Sequence, residues 1–222
     1  MSNDAFEKDA ADVYRALRTG GLVLLPTDVG YGLVAMEEEA VAQIYELKGR
    51  PLTKPCVTVV NDTIFDDVAL AIDPDLRTWL RAIGTRAPIA VVAQLDPSSR
   101  LLASMSPRVR EQATQSGTIA AFFSAGRLVE RVAELALADG RLVVGSSANL
   151  AGTGNNYAYE HVPESMRRGA ALAFDRGTAC YASDRKLATT ILDLRTGTFL
   201  RQGIDFSAIE ESWREHLRAA AS

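Results

Sequence analysis

The sequence predicts an α/β fold: a mixed parallel and antiparallel sheet with helices on both faces. Three observations predict it. Short, continuous apolar runs alternate with amphipathic helical stretches, as layered α/β chains require. Two β-rich runs close together near the end read as a hairpin, which makes the sheet mixed. The chain has 222 residues, 47% of them hydrophobic and 23% charged, which suits a single globular domain over 1–222.

The elements follow in order. Asp4 to Arg18 reads as a helix because Phe6, Ala10, Val13, Tyr14 and Leu17 fall on one stripe, and Gly20-Gly21 ends it. Leu22–Leu25 is a short apolar run, the mark of a strand buried on both faces. A glycine-containing loop over Pro26–Leu33 follows, then a helix over Glu38–Lys48 with Val41, Ile44 and Tyr45 inward. Cys56–Val60 is β-rich, Ile64–Ala71 and Asp75–Ile83 are helical, and Ile89–Ala93 and Thr118–Phe123 are strands. Arg127–Ala138 is a helix burying Leu128, Val132, Leu135 and Ala136, and Arg141–Val144 is a strand before a long polar loop, Gly145–Asn156. Ile191–Leu194 and Thr198–Arg201 form the hairpin around Arg195-Thr196-Gly197. A last helix, Phe206–Leu217 within 205–220, offers Phe206, Ile209, Trp213 and Leu217 to the body.

Composition narrows the function. A net charge of −4 argues against a broad basic surface for nucleic acid but leaves room for a local basic cleft. No stretch approaches a membrane span, and Met1–Arg15 carries no apolar secretory core, so a cytoplasmic protein is expected. Cys56 and Cys180 lack metal-ligand spacing and read as free thiols of a reducing compartment. His161 and His216 have no Cys or His partners nearby and read as solvated or packed, and no protein metal site is expected.

Three segments carry chemistry. In Pro26-Thr27-Asp28-Val29-Gly30-Tyr31-Gly32-Leu33, two glycines permit close backbone approach, and Thr27 and Asp28 supply polar contacts; the alternative is a plain turn. Lys48, Arg50 and Lys54 place three cations within seven residues, a pattern suited to phosphate, or else a complement to a helix C-terminus. Gly145-Ser146-Ser147-Ala148-Asn149 offers hydroxyls and an amide after a buried strand, for ligand oxygens or for capping. Thr189, Thr190 and Arg201 are thinner candidates. No Ser-His-Asp order and no complete Walker loop is present, so covalent catalysis is not expected.

Together the pieces "LLPTDVGYGL", "IYELKGRPLTKPCVTVV", "GSSANLAG", "TTILDL" and "LRQG", spread from Leu24 to Gly203, resemble the YrdC-like family, the threonylcarbamoyl-adenylate synthases. The paired Lys48/Arg50 and Ser147/Asn149 make the combination specific. The resemblance implies a twisted mixed sheet with a positively lined cleft. It also implies a reaction in which L-threonine, bicarbonate and ATP, with Mg2+, yield threonylcarbamoyl-AMP and pyrophosphate for tRNA modification. It assigns Lys48 and Arg50 as catalytic; Lys48, Arg50, Lys54, Thr118, Ser147, Asn149 and Arg201 to ATP; and Thr27, Asp28, Ser147 and Thr189 to the amino acid. Partners implied are tRNA or double-stranded RNA and tRNA-modification proteins.

The chain departs from the pattern. Val29 stands where a Thr is common, and "IGTRAPIAVV" stands near a usual "PGPLT"-like stretch. The family's "TVAVR" strand appears here as Thr118–Phe122, so Phe122 occupies the place of an arginine expected to pair with the threonine carboxylate. The "PTDVGYGL" and "TTILDL" variants look closer to the YciO-like branch. Two other readings stay open: a nucleotide- or RNA-binding protein of the same fold without turnover, and carbamoyl-adenylate chemistry starting from carbamoyl phosphate.

Overall fold

The computed structural model describes residues 3–220. In chain order its elements are α1 (Asn3–Arg18), β1 (Val23–Thr27), β2 (Gly30–Ala35), α2 (Glu38–Lys48), β3 (Val57–Val59), α3 (Asp62–Val68), α4 (Pro74–Gly84) and β4 (Ile89–Gln94). There follow α5 (Arg100–Ala103), α6 (Pro107–Ala113), β5 (Thr114–Gln115), β6 (Thr118–Phe123), α7 (Arg127–Ala138) and β7 (Val144–Ser147). A 3-10 turn (Tyr159–His161), α8 (Glu164–Gly169), β8 (Leu172–Ala173), β9 (Thr190–Asp193), β10 (Thr198–Arg201) and α9 (Phe206–Ala220) complete the chain.

The strands form one mixed sheet in the order β10-β9-β4-β6-β3-β7-β2-β1-β8, with β5 paired to β6 at the side. The pairs β1–β8, β3–β6 and β4–β9 are parallel and the others antiparallel. The expected α/β mixed sheet is therefore present, and its hairpin is β9–β10.

The loop expected over Pro26–Leu33 is instead a second hairpin. Thr27 pairs with Gly30 across the two-residue turn Asp28-Val29, and Gly30 to Ala35 is strand β2. Pro26 looks like a strand breaker but is tolerated. Its partner Tyr31 turns its own N–H to Asn156 O and its carbonyl to the Ala148 N–H, so the Pro26–Tyr31 pair exchanges no hydrogen bond. Gly30 needs its glycine: φ is 132°, and a Cβ would lie 2.9 Å from Asn156 O. The polar loop expected from Gly145 starts later, since Gly145–Ser147 belongs to β7, and Arg141–Val143 lies outside the strand.

Side-chain alternation builds the layers. Val23 and Leu25 join the cluster of α1 and α7, while Leu22 and Leu24 join that of α2, α6 and α8. On the other half of the sheet, paired Ile89 and Phe123 face the α3 side, where the Phe123 and Phe65 rings stand 5.2 Å apart. α9 docks on α4 through Trp79 and Trp213, at 4.9 Å, with His216 stacked beside them. Two expected faces are corrected. α7 buries Val132 and Ala136 as expected, but with Val129 and Ala133 in place of Leu128 and Leu135, which are only half-buried. In α9, Leu217 is exposed because the helix's buried contacts are at Ile209 and Trp213.

Candidate functional site

One quadrant of this layered body lacks a covering helix. α1 and α7 pack on β1, and α7 also reaches β3; beside them residues of β3, β6, β4 and β9 on the same face line open space. A cavity of about 560 Å³ occupies that space. Its floor is the sheet itself. Val59, Phe122, Ala90 and Ile191 stand side by side on four neighbouring strands, and Ala120 and Val92 form the next row.

The polar walls come from three segments far apart in the chain. α2 ends at Gly49, whose left-handed φ of 57° turns the chain sharply, and Arg50 swings to the start of β3. There Arg50 Nη2 donates to Pro55 O at 2.7 Å, Nε to Lys54 O at 3.1 Å and Nη1 to Ser146 Oγ at 3.2 Å. Arg50, Lys54, Ser146 and Ser147 all line the cavity. From the opposite flank, Arg201 on β10 reaches in with its Nε on Thr189 O at 2.7 Å. Burial, and after it the nearby Arg50 charge, lower the pKa of Arg201 below its ordinary value. Two guanidinium groups are thus held near each other with no carboxylate lining the cavity among the described residues, an arrangement that favours an anionic ligand.

Lys48 stands behind this wall rather than in it. It is 3% exposed, and its ammonium donates to Asn149 O at 2.7 Å, Asn149 Oδ1 at 3.3 Å and Ser147 O. Ser147 Oγ in turn donates to Asn149 Oδ1. Burial, aided by Arg50, brings the lysine pKa down to about 8. The segment thus folds locally into a tether: the last residue of α2 holds the turn after β7, directly beyond Ser146 and Ser147, which line the cavity from the end of that strand.

The structure therefore joins Lys48, Ser147 and Asn149 in one hydrogen-bond network and holds Arg50 beside it on Ser146, with Arg50 and Ser147 at the cavity and Lys48 and Asn149 behind them. Thr27 and Thr189 also line the cavity; the Thr27 hydroxyl donates to Gly30 O at 2.5 Å. Asp28 does not line it. Its side chain lies against Gly126 and Cys180, and burial raises its pKa. Thr118 sits at the far end of β6, paired with Gln94, and its hydroxyl donates to Gln115 O at 2.7 Å, away from the other candidates. Phe122 lies in the floor, 8% exposed.

Sequence reasoning offered Ser146 only as part of its segment, with no role of its own, and missed Asn155. Asn155 is buried, lines the cavity and donates to Val29 O at 2.8 Å, which braces the β1–β2 turn. The adjacent hydroxyl in Gly145-Ser146-Ser147 was the available sign for Ser146; nothing in the local pattern marked Asn155.

Comparison with known proteins bears on this geometry. The chain is similar in structure to P. abyssi Sua5 complexed with L-threonine, with TM-score 0.73 and 24% identity over 93% of this chain and 57% of that one. It thus spans little more than half the length of that relative. A hypothetical protein from Streptococcus mutans gives TM-score 0.75 at 18% identity, covering 97% of this chain and 91% of its own. Full-length HypF in its phosphate- and nucleotide-bound form gives 0.65 at 14%, over 88% of this chain and 29% of that one. At such identities the likeness speaks for the fold. No curated protein sequence matches the chain. The family model for Sua5, YciO and YrdC, described as telomere recombination, matches residues 15–203, a span that contains the tether, the cavity floor and both cationic flanks. The chain belongs to the Sua5/YciO/YrdC family.

Proposed function

We propose that the protein is a nucleotidyltransferase of the threonylcarbamoyl-adenylate synthase type. It uses ATP and bicarbonate to make threonylcarbamoyl-AMP from L-threonine, or the same mixed anhydride on another small amine, in the service of tRNA modification. The observation that carries this reading is the pair of cationic flanks, Arg50 with Lys54 and Arg201, lining one cavity that holds no carboxylate among the described residues. Relatives on this fold support it: P. abyssi Sua5 is complexed with L-threonine, and HypF is phosphate- and nucleotide-bound.

The chemistry suits such a site. The amine and bicarbonate condense to a carbamate with loss of water. A carbamate oxygen then attacks the α-phosphorus of ATP, the Pα–O bond to the β-phosphate breaks, and pyrophosphate leaves. This step needs alignment and neutralisation of phosphate charge rather than a protein nucleophile. Arg50, Lys54 and Arg201 would hold the phosphates, and Ser146 and Ser147 would donate to their oxygens. Lys48 and Asn149 would keep that turn in place, and Thr27 and Thr189 would border the amine. Mg2+ would arrive on the ATP phosphates with its waters, as magnesium commonly does.

The test is pyrophosphate release by the purified chain with ATP, bicarbonate and threonine, omitting each in turn, beside calorimetry of ATP binding. Release that requires both an amine and bicarbonate supports the reading. ATP binding with no amine-dependent release under any condition refutes the activity.

A further inference from the structure

We infer that the amine acceptor of this site is one without an α-carboxylate, and that Phe122 is the residue that sets this preference. The inference rests on the reaction class proposed above and narrows its substrate.

The cavity is divided by charge. Among the described residues, the cations that line it are Arg50, Lys54 and Arg201, and each reaches in from a flank. Between the flanks the floor is Val59, Phe122, Ala90 and Ile191 in one row, with Ala120 and Val92 in the next. Facing this floor are Ala125 and Val129 beside Val29. Phe122 lies three strand spacings from Arg201 through the pairs Phe122–Ala90, Ala90–Ile191 and Ile191–Arg201, so their Cα atoms are about 14 Å apart. That distance keeps Phe122 beyond reach of the Arg201 guanidinium, whose Nε is bound to Thr189 O.

The Thr189 hydroxyl lies at the Arg201 end of this floor, and the polar groups nearest its other end are engaged. The Thr27 hydroxyl donates to Gly30 O and the Asn155 amide to Val29 O. The flanking cations match a polyphosphate, which carries several negative charges and needs them all. A second anion on the same ligand set would then come to rest on the phenyl ring and valine side chains. A carboxylate placed there exchanges water for hydrocarbon with no compensating donor, whereas an alkyl or hydroxyalkyl group is favoured by the same burial.

The step balances with co-reactants already named. A carboxylate-free amine and bicarbonate give a carbamate and water; the carbamate oxygen bonds to Pα of ATP and pyrophosphate departs, leaving an N-alkylcarbamoyl-AMP.

The experiment compares L-threonine with isopropanolamine, which is threonine without its carboxylate, in pyrophosphate release by the full chain with ATP and bicarbonate. Wild type is expected to show kcat/KM for isopropanolamine at least about tenfold above that for threonine, the scale of one lost charge-assisted contact. Phe122→Arg puts a cation in the floor and is expected to reverse the order; Phe122→Leu, which keeps the floor apolar and the fold safe, is expected to preserve it. A wild-type ratio at or below one overturns the inference while leaving the reaction class standing. So does an order in Phe122→Leu that favours threonine. Release with neither amine, with ATP bound, overturns the reaction class itself and this inference with it.

Discussion

Replacing Lys48 by methionine removes the ammonium and keeps nearly the same chain length, so it isolates the charge from the packing. Two terms oppose each other. A lysine pKa brought from 10.5 to about 8 means that the charged form is disfavoured in the folded protein by about 3 kcal/mol, at 1.36 kcal/mol per unit, and Lys48→Met recovers that amount near pH 7. Against it stands the loss of three acceptors' donor. Ser147 O keeps the Asn149 N–H at 3.0 Å and Asn149 Oδ1 keeps the Ser147 hydroxyl, so only Asn149 O loses its partner among the described residues. One orphaned acceptor costs about 1–3 kcal/mol. The net change in unfolding free energy at pH 7 is therefore small, within about 2 kcal/mol, while the turn that follows Ser146 and Ser147 loses its anchor. ATP affinity is expected to fall at least about tenfold, about 1.4 kcal/mol.

Urea unfolding measures the first quantity and calorimetry the second. The pH dependence adds an independent check. Between about pH 8 and 10.5 the unfolded chain holds a proton on Lys48 that the folded chain does not, so wild-type stability gains from this residue as pH rises through that window. Lys48→Met lacks the gain, and the difference between the two proteins shifts toward wild type on going from pH 7 to pH 10. Asn149→Ala on top of Lys48→Met is expected to add little to the loss of ATP affinity, because both act through one turn. Unchanged ATP affinity in Lys48→Met, or full additivity with Asn149→Ala, refutes the tether.

Three further outcomes are expected. Arg201→Ala removes one cationic flank and is expected to weaken ATP about 10-fold to 100-fold in calorimetry with little change in urea midpoint, since among the described residues its side chain bonds only Thr189 O beside the cavity. Gly203→Ala is expected to destabilise by about 3 kcal/mol or more in thermal unfolding, because the new Cβ would lie 2.0 Å from Ala188 O and 2.7 Å from the Thr190 N, all backbone. Asp193→Asn is expected to lower stability at neutral pH: the carboxylate accepts Arg195 Nη2 at 2.7 Å and Nε at 3.0 Å, which holds its pKa below the usual range. A depressed carboxylate contributes above its unfolded pKa and loses that contribution as pH falls through the folded value, so the gap between Asp193→Asn and wild type should close below about pH 4.

Elements with a clear period and ordinary residue choice were legible from the sequence. Thr118–Phe123 and Arg127–Ala138 have the predicted bounds, because an apolar run flanked by glycine and a helical stripe each specify their own geometry. β2 was not legible because Gly30 and Gly32 are poor strand formers on local grounds; the strand exists because β1 and β7 bond it from both sides. The same limit governs the site. Lys48 ends a helix beside other cations, and local chemistry suggests that it faces a ligand. Its direction is decided instead by carbonyls roughly a hundred residues later, at Ser147 and Asn149.

Phe122 shows the limit most sharply. In the strand pattern it is one more apolar residue among Ile119, Ala121 and Phe123, and the resemblance marked it only as a departure from the family's arginine. Alternation settles the matter: Phe123 turns to Phe65 and the α3 layer, while Phe122, one residue earlier, turns to the cavity. A position on the covered face answers to packing and tolerates only similar volumes. A position on the bare face answers to the ligand, so a change there can redirect chemistry while leaving the fold intact. The fold and the cationic flanks can therefore persist while the floor changes, with the difference lodged in a few residues indistinguishable by composition from the core.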